Sequence, residues 1–242
     1  MPDSRSKLLA GASGYSFKEW CGPFYPAKMK ADEMLAFYSA RLPTVEINNT
    51  FYRMPQPKVL EQWKQTVPGG FRFAIKSPRR ITHMSRLKPE SSAEPVQYLY
   101  KTLEALGEKR GPVLFQLPPL MKKDVERLEG FLALLPADHR AAFEFRNPSW
   151  FGDDVYAALE KVGASLCFSE REDGEPPALV ETAPWGYVRL RLENYAEGDL
   201  RRWAERIAAT GWRETYAYFM HEPTAPGYAR TLLDAWESLA IA

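Results

Sequence analysis

Eight short runs of strand-forming residues, separated by amphipathic stretches, restrict this 242-residue chain to very few folds. The runs are residues 8–13, 45–48, 71–76, 113–117, 141–146, 165–169, 187–191 and 215–219. Between them, apolar residues recur at spacings of three and four, the signature of a helix with one buried face. Val96, Leu99, Leu103 and Leu106 follow Pro95, read as a first-turn residue, and Val125, Leu128, Leu132 and Leu135 follow Asp124. Leu200, Trp203, Ala204 and Ile207 follow Asp199, read as an N-cap, and Leu232, Trp236 and Leu239 close the chain. Only residues 170–186 leave room for little helix, because Pro176, Pro177 and Pro184 interrupt them.

Strand alternating with helix demands parallel strands joined by right-handed crossovers. Eight such units predict an α/β chain folded as one TIM-type (β/α)8 barrel over residues 1–242, a fold usually about 250 residues long. A doubly wound open sheet is the alternative. Its first strand is normally followed by a G-x-G-x-x-G turn, a spacing that Gly11-Ala12-Ser13-Gly14-Tyr15 lacks.

Charge alone excludes little: 32 basic against 31 acidic side chains leave a net charge of +1. Such a chain has no global field to attract nucleic acid or membrane, so any anion site must be local. Cys21 and Cys167 stand far apart without metal-ligand spacing and are expected as buried, reduced thiols. Neither a signal-peptide core nor an apolar run of about 18 residues is present, so a cytoplasmic location without membrane association is expected.

The informative feature is charge at a period of two inside the strands. Strands in a parallel sheet covered on both faces are normally apolar throughout. Here Glu46 and Asn48 share one face of the second run, Glu144 and Arg146 one face of the fifth, and Arg189 and Arg191 one face of the seventh. Lys76 ends the third run, and Gln116 lies near the end of the fourth. The opposite faces carry Val, Ile, Phe and Leu, which suit helix packing, so the charged faces are expected to point into the C-terminal mouth of the barrel, where such folds keep their sites. Buried charges need partners. Four cations against two carboxylates leave a surplus of two, which an anionic ligand would neutralise.

The loops after the strands add aromatic and basic groups. Tyr15, Trp20, Phe24 and Tyr25 follow the first run, Phe51, Tyr52 and Arg53 the second, and Trp150 and Phe151 the fifth. In exposed loops such rings suit stacking on a sugar or base, and equally a lid packed on itself. The loop 77–92 holds Arg79, Arg80, His83, Arg86 and Lys88 before its first acid, Glu90. Glu46 and Glu144 are candidate acid–base carboxylates, although neighbouring arginines would keep both ionised. His83 is the alternative proton carrier, because an unperturbed imidazole titrates near neutrality. Tyr15, Asn48, Tyr52, Arg53, Lys76, Gln116, Arg146, Trp150, Arg189 and Arg191 are candidate ligand-binding residues. No cofactor is expected. His83, His139 and His221 lack the spacing of a metal site, and Mg²⁺ on Glu46, Asn48 and Glu144 is the one metal alternative.

Several of these motifs occur together in a known family. Gly11-x-Ser13-Gly14-Tyr15, the stretch from Val45 through Glu46-Ile47-Asn48-Asn49-Thr50-Phe51-Tyr52 to Arg53, and Phe71-x-Phe73-Ala74-Ile75-Lys76 with Thr82-His83 are three of them. Gln116-Leu117-Pro118-Pro119, Glu144-Phe145-Arg146 with Ser149-Trp150, and Tyr187-Val188-Arg189-Leu190 complete the set. Together they resemble the YecE-like family, domain of unknown function 72. The resemblance spans nearly the whole chain and implies a TIM-type barrel, without supplying an activity. Two ends depart from the family pattern. Arg189-Leu190-Arg191-Leu192 stands where many members read Arg-x-His-Gly, and Phe219-Met220-His221-Glu222 where many read Phe-Asn-Asn.

Three functions follow as expectations. The first is a metal-independent enzyme acting on a phosphorylated or otherwise anionic sugar- or nucleotide-like molecule at the barrel mouth. The second is a non-catalytic nucleic-acid binder using the basic third loop. The third is a protein-interaction scaffold.

Overall fold

The computed structural model describes residues 6–170, 178–220 and 223–239. The polar start of the chain, Pro176 and Pro177, and the strand end at His221 and Glu222 lie outside the described residues. Strand and helix alternate as expected. β1 (Lys7–Ala12) leads to α1 (Ala31–Ser39), β2 (Thr44–Ile47) to α2 (Pro57–Thr66), and β3 (Arg72–Lys76) to α3 (Pro89–Leu103). Next, β4 (Arg110–Gln116) leads to α4 (Val125–Leu132), and β5 (Ala141–Glu144) to α5 (Asp153–Glu160). The sixth expected run divides at Cys167 into β6 (Ser165–Leu166) and β7 (Phe168–Ser169). No helix follows it among the described residues before β8 (Trp185–Leu190). The chain then passes through α6 (Glu197–Ala208), β9 (Glu214–Phe219) and α7 (Ala225–Leu239).

Every ladder is parallel, and the strands form two sheets, β2-β3-β4-β5-β6 and β1-β9-β8-β7. Cys167 is the point of transfer between them. Its N–H donates to Phe143 O on β5 at 2.9 Å, while the next residue, Phe168, pairs with Val188 on β8. No ladder joins β1 to β2. There the hydroxyl of Tyr38, on α1, accepts from Ala12 N at 2.8 Å and donates to Thr44 O at 2.9 Å. Gly11 is required at this line, because a Cβ on it would lie 2.0 Å from Thr44 O.

The period-two alternation sorts the side chains into two buried layers. One cluster, Leu9, Ala74, Leu114, Ala142, Cys167, Trp185, Tyr187, Tyr216 and Tyr218, draws on strands of both sheets. The other packs the opposite strand faces, including Val45, Phe73, Phe115, Phe143 and Val188, against helix residues such as Leu35, Leu60, Leu99, Leu128 and Leu232.

Two helix starts differ from expectation. Pro95 lies inside α3, which begins at Pro89. A proline there leaves the carbonyl four residues earlier without its helical donor, and Ser85 Oγ fills that place on Ser91 O at 2.9 Å. Asp199 is not the N-cap of α6 but lies inside its first turn, where its carboxylate accepts from Ala196 N at 2.8 Å. Asp124 caps α4 as expected, accepting from Arg127 N at 3.0 Å. Both cysteines are free thiols, but only Cys167 is buried, Cys21 being half-buried, and no helix among the described residues is long and apolar enough to cross a membrane.

Candidate functional site

The inward faces of the strands end in polar residues, as the period-two reading expected. Glu46 follows from β2, Lys76 from β3, Gln116 from β4, Glu144 from β5 and Arg189 from β8. Arg189 is fully buried and forks between the two carboxylates, with Nη2 2.9 Å from Glu46 Oε1 and Nη1 2.5 Å from Glu144 Oε2. Ser13 Oγ donates to Glu46 Oε1 and Tyr187 OH to Oε2, each at 2.7 Å. Gln116 Nε2 lies 2.9 Å from both oxygens of Glu144. Every oxygen of the two carboxylates therefore has a donor.

That arrangement fixes their charge. Burial, the largest single influence, would push both carboxyls up, and the Arg189 guanidinium opposes that shift. Hydrogen bonds from Tyr187 and Ser13 on one side, and from Gln116 on the other, act with it to hold both below the usual carboxylate range. Neither is a proton donor near neutral pH. No group of three or more His, Cys, Asp or Glu side chains among the described residues is placed to share a metal ion.

The other cations are less committed. Arg146 Nε and Arg191 Nη1 lie 3.7 and 3.8 Å from Glu144 Oε1, beyond hydrogen-bond distance, and neither guanidinium makes a hydrogen bond among the described residues. Lys76 has no ion pair there, and its ammonium stands 4.7 Å above the Phe51 ring. Burial and the nearby Arg189 charge push the Lys76 pKa down, while Glu46 and Glu144 oppose that shift. His83 meets the same Phe51 ring edge-on at 4.9 Å, with Nδ1 2.9 Å from Thr82 Oγ1. Burial, Lys76, Arg79 and Arg146 all lower the His83 pKa, so the imidazole is neutral at pH 7.

A cavity of about 680 Å³ opens beside this cluster. Glu144, Arg146, Arg191 and Glu170 supply its charges, and Phe145, Tyr156, Leu166, Phe168 and Val180 are among its apolar walls. Glu170 was not singled out in the sequence. Its only signal there was an acid immediately after a strand-like run, at the start of the proline-interrupted stretch. It makes a third carboxylate against four cations, so the surplus of two becomes one. Ser13 and Tyr187 were also missed, although Tyr187 precedes Arg189 by two residues and shares its face.

The aromatic loops need correction. Trp150 is fully buried, stacked on Phe145 with centroids 4.6 Å apart, and its indole N–H donates to Met121 O at 2.7 Å. It has no face left for a ligand. Trp20 and Tyr25 are buried too, in an aromatic cluster with Phe24, Phe37 and Tyr38. Tyr15 is half-buried against Tyr38 and Trp63. Tyr52 is 76% exposed and Arg53 is exposed. Asn48 is half-buried, with its Oδ1 sealed from solvent and unpartnered among the described residues. The basic third loop is shorter than expected, because a one-turn helix (Arg80–Met84) and the early start of α3 occupy most of it. Arg80, Arg86, Lys88 and Arg127 surround a separate hollow of about 630 Å³.

Comparison with known proteins agrees with the strand-end motifs. A family model described as protein of unknown function DUF72 matches residues 9–240. The UPF0759 protein YunF of Bacillus subtilis is 31% identical over 208 residues, covering 80% of this chain and 73% of that protein. The UPF0759 protein YecE of Escherichia coli K12 is 29% identical over 115 residues, 47% of this chain and 42% of its own length. Among solved structures, a DUF72 family protein from Thermotoga maritima superposes with a TM-score of 0.80 at 24% identity, covering 98% of this chain and all of that one.

Proposed function

The chain belongs to the DUF72 family, and from its strand-end residues we propose that it is an enzyme acting on a phosphorylated or otherwise anionic sugar- or nucleotide-like ligand. The observation that carries this reading is the state of Arg146 and Arg191. Both stand on the cavity wall near a carboxylate that already accepts from Arg189 and Gln116, with their own donors unspent. A guanidinium in that position matches the paired oxygens of a phosphate or carboxylate. Lys76 adds a third cation without an acid partner among the described residues.

In this reading Arg189, Glu46 and Glu144 are a fixed floor that positions the arginines. They take no part in proton transfer, and His83 is the group that accepts a proton. The chain's own side chains carry the chemistry, without a metal. The two sheets are read as halves of one single-domain (β/α)8 barrel. Residues from both meet in one interior cluster, and Tyr38 spans the line between β1 and β2.

Calorimetric titration with ribose 5-phosphate tests the reading. The double variant Arg146→Met/Arg191→Met is expected to bind about a hundred-fold more weakly than the parent, a factor of roughly ten for each charged hydrogen-bonding group removed. Equal affinity in the two proteins, or no binding to the parent, would sink it.

A second reading rests on the hollow formed by Arg80, Arg86, Lys88 and Arg127, which suits the phosphates of a single-stranded nucleic acid. It is the weaker of the two, because Arg80 is paired with Glu94 at 3.2 Å and Arg127 with Asp124 at 2.9 Å. Oligonucleotide binding followed by fluorescence anisotropy across a salt series is the check. Neutralising Arg80, Arg86 and Lys88 together should flatten the log–log salt slope by about 2. An unchanged slope removes this reading.

A further inference from the structure

Glu170 is held in an unusual way for a carboxylate beside a cavity. Its Oε2 accepts from Arg191 N at 3.0 Å, from Leu192 N at 3.4 Å and from the hydroxyl of Tyr195. Burial and the Glu170 carboxylate both push the Tyr195 pKa up, so that hydroxyl keeps its proton and donates. Leu192 N also donates to the Tyr195 oxygen at 2.9 Å, which fixes the ring's end. The backbone is pinned as well, since Glu170 N donates to Arg189 O at 2.9 Å. All of this falls on one oxygen. Oε1 has no partner among the described residues, on a residue only 6% exposed that lines the 680 Å³ cavity.

A carboxylate oxygen is an acceptor only, and a ligand that closed the cavity over it without offering a donor would leave it unmatched at a cost. The two backbone N–H groups that hold Oε2 also fix the direction of Oε1. A rigid acceptor therefore shares a cavity with two guanidiniums that have donors to spare. A bare anion would satisfy Arg146 and Arg191 and leave Oε1 facing negative charge. We propose that Glu170 recognises a hydrogen-bond donor, a hydroxyl or amino group, on the ligand, so that the ligand class is an anion bearing such a donor. The proposal rests on Arg146 and Arg191 being the anion's partners, as above, and assigns the other end of the same site.

Glu170→Gln tests it with little change of shape. The two backbone N–H groups and Tyr195 OH will hold the glutamine carbonyl at the Oε2 position, turning its NH₂ toward the cavity and replacing an acceptor by a donor. Three probes are titrated calorimetrically: methyl phosphate, ribose 5-phosphate and O-phosphoethanolamine. In the parent protein, ribose 5-phosphate or O-phosphoethanolamine should bind at least ten-fold more tightly than methyl phosphate, and which of them does so separates hydroxyl from amino recognition. In Glu170→Gln that advantage should shrink to about two-fold or less, with methyl phosphate bound as well as before or better, since a negative charge has gone.

Tyr195→Phe is the control for a merely structural role. It removes a donor to Oε2 without touching Oε1 and should keep the advantage. An advantage that survives Glu170→Gln, that is missing in the parent, or that Tyr195→Phe abolishes equally overturns the Glu170 assignment while leaving the anion reading intact. Failure of all three probes to bind the parent overturns both.

Discussion

Arg189→Met is expected to destabilise the protein by about 3–5 kcal/mol at neutral pH, measured from the urea midpoint of unfolding. Removing one partner of a buried ion pair leaves an uncompensated charge, and losses of that size are typical. Here one guanidinium serves two carboxylates, Glu46 and Glu144, both almost wholly removed from solvent. The pH dependence gives the prediction a second edge. In the parent, both carboxyls are held below their unfolded pKa of about 4.3, so their contribution is complete above that pH and is lost as pH falls through the folded values. Without Arg189, burial dominates and raises both folded pKa values. Their protonated forms are then favoured in the folded state, and stability falls as pH rises above about 4.3. The gap between variant and parent should therefore narrow in acid and widen toward neutrality. A gap that is constant between pH 3.5 and 7 would mean that the triad is not electrostatically coupled. Replacing all three groups together, as Glu46→Gln/Glu144→Gln/Arg189→Met, should recover much of the loss, because no charge is then stranded.

Gly11→Ala should be nearly as damaging, by about 3 kcal/mol, at the upper end of what overpacking usually costs. The added methyl would sit 2.0 Å from Thr44 O and 2.9 Å from the Tyr38 hydroxyl. A side chain can turn away from such a contact, but the Thr44 carbonyl belongs to the backbone of β2 and cannot do so without moving the strand. Tyr38→Phe attacks the same line more gently. It strands the Ala12 N–H and the Thr44 carbonyl, which share that hydroxyl, and about 1–3 kcal/mol is expected. Thermal unfolding of the two variants in parallel decides the matter. If Gly11→Ala melts within a few degrees of the parent, the close approach of β1 and β2 is not a constraint on the fold.

The fold and the charged site were readable in the sequence to different depths, for physical reasons. Period-two charge in a strand is a local pattern with one explanation, so Glu46, Glu144 and Arg189 could be placed on one inner face before any contact was known. The geometry of their contact depends on three strands brought together from distant parts of the chain, and no spacing encodes it. Trp150 fails for the same reason. Whether a loop aromatic is a platform or a plug depends on Phe145 and the Met121 carbonyl, which lie elsewhere in the sequence. Pro95 misled because its missing donor is replaced by Ser85, ten residues earlier. Glu170 was hidden because β6 and β7 are only two residues each and proline follows. Tyr38, which holds β1 against β2, reads in sequence as one more apolar residue on the buried face of α1.

The transfer of the chain from one sheet to the other at Cys167 has a mechanical consequence. Glu46, Lys76 and Glu144 belong to the five-stranded sheet, and Arg189 to the four-stranded one, so the Arg189 fork works as a rivet through the joint between two plates. Arg146 extends from the first plate and Arg191 from the second. A ligand gripped by both would be a second rivet across that joint, set at its solvent edge. Occupancy of the cavity would then stiffen the molecule along the joint that the chain crosses at Cys167.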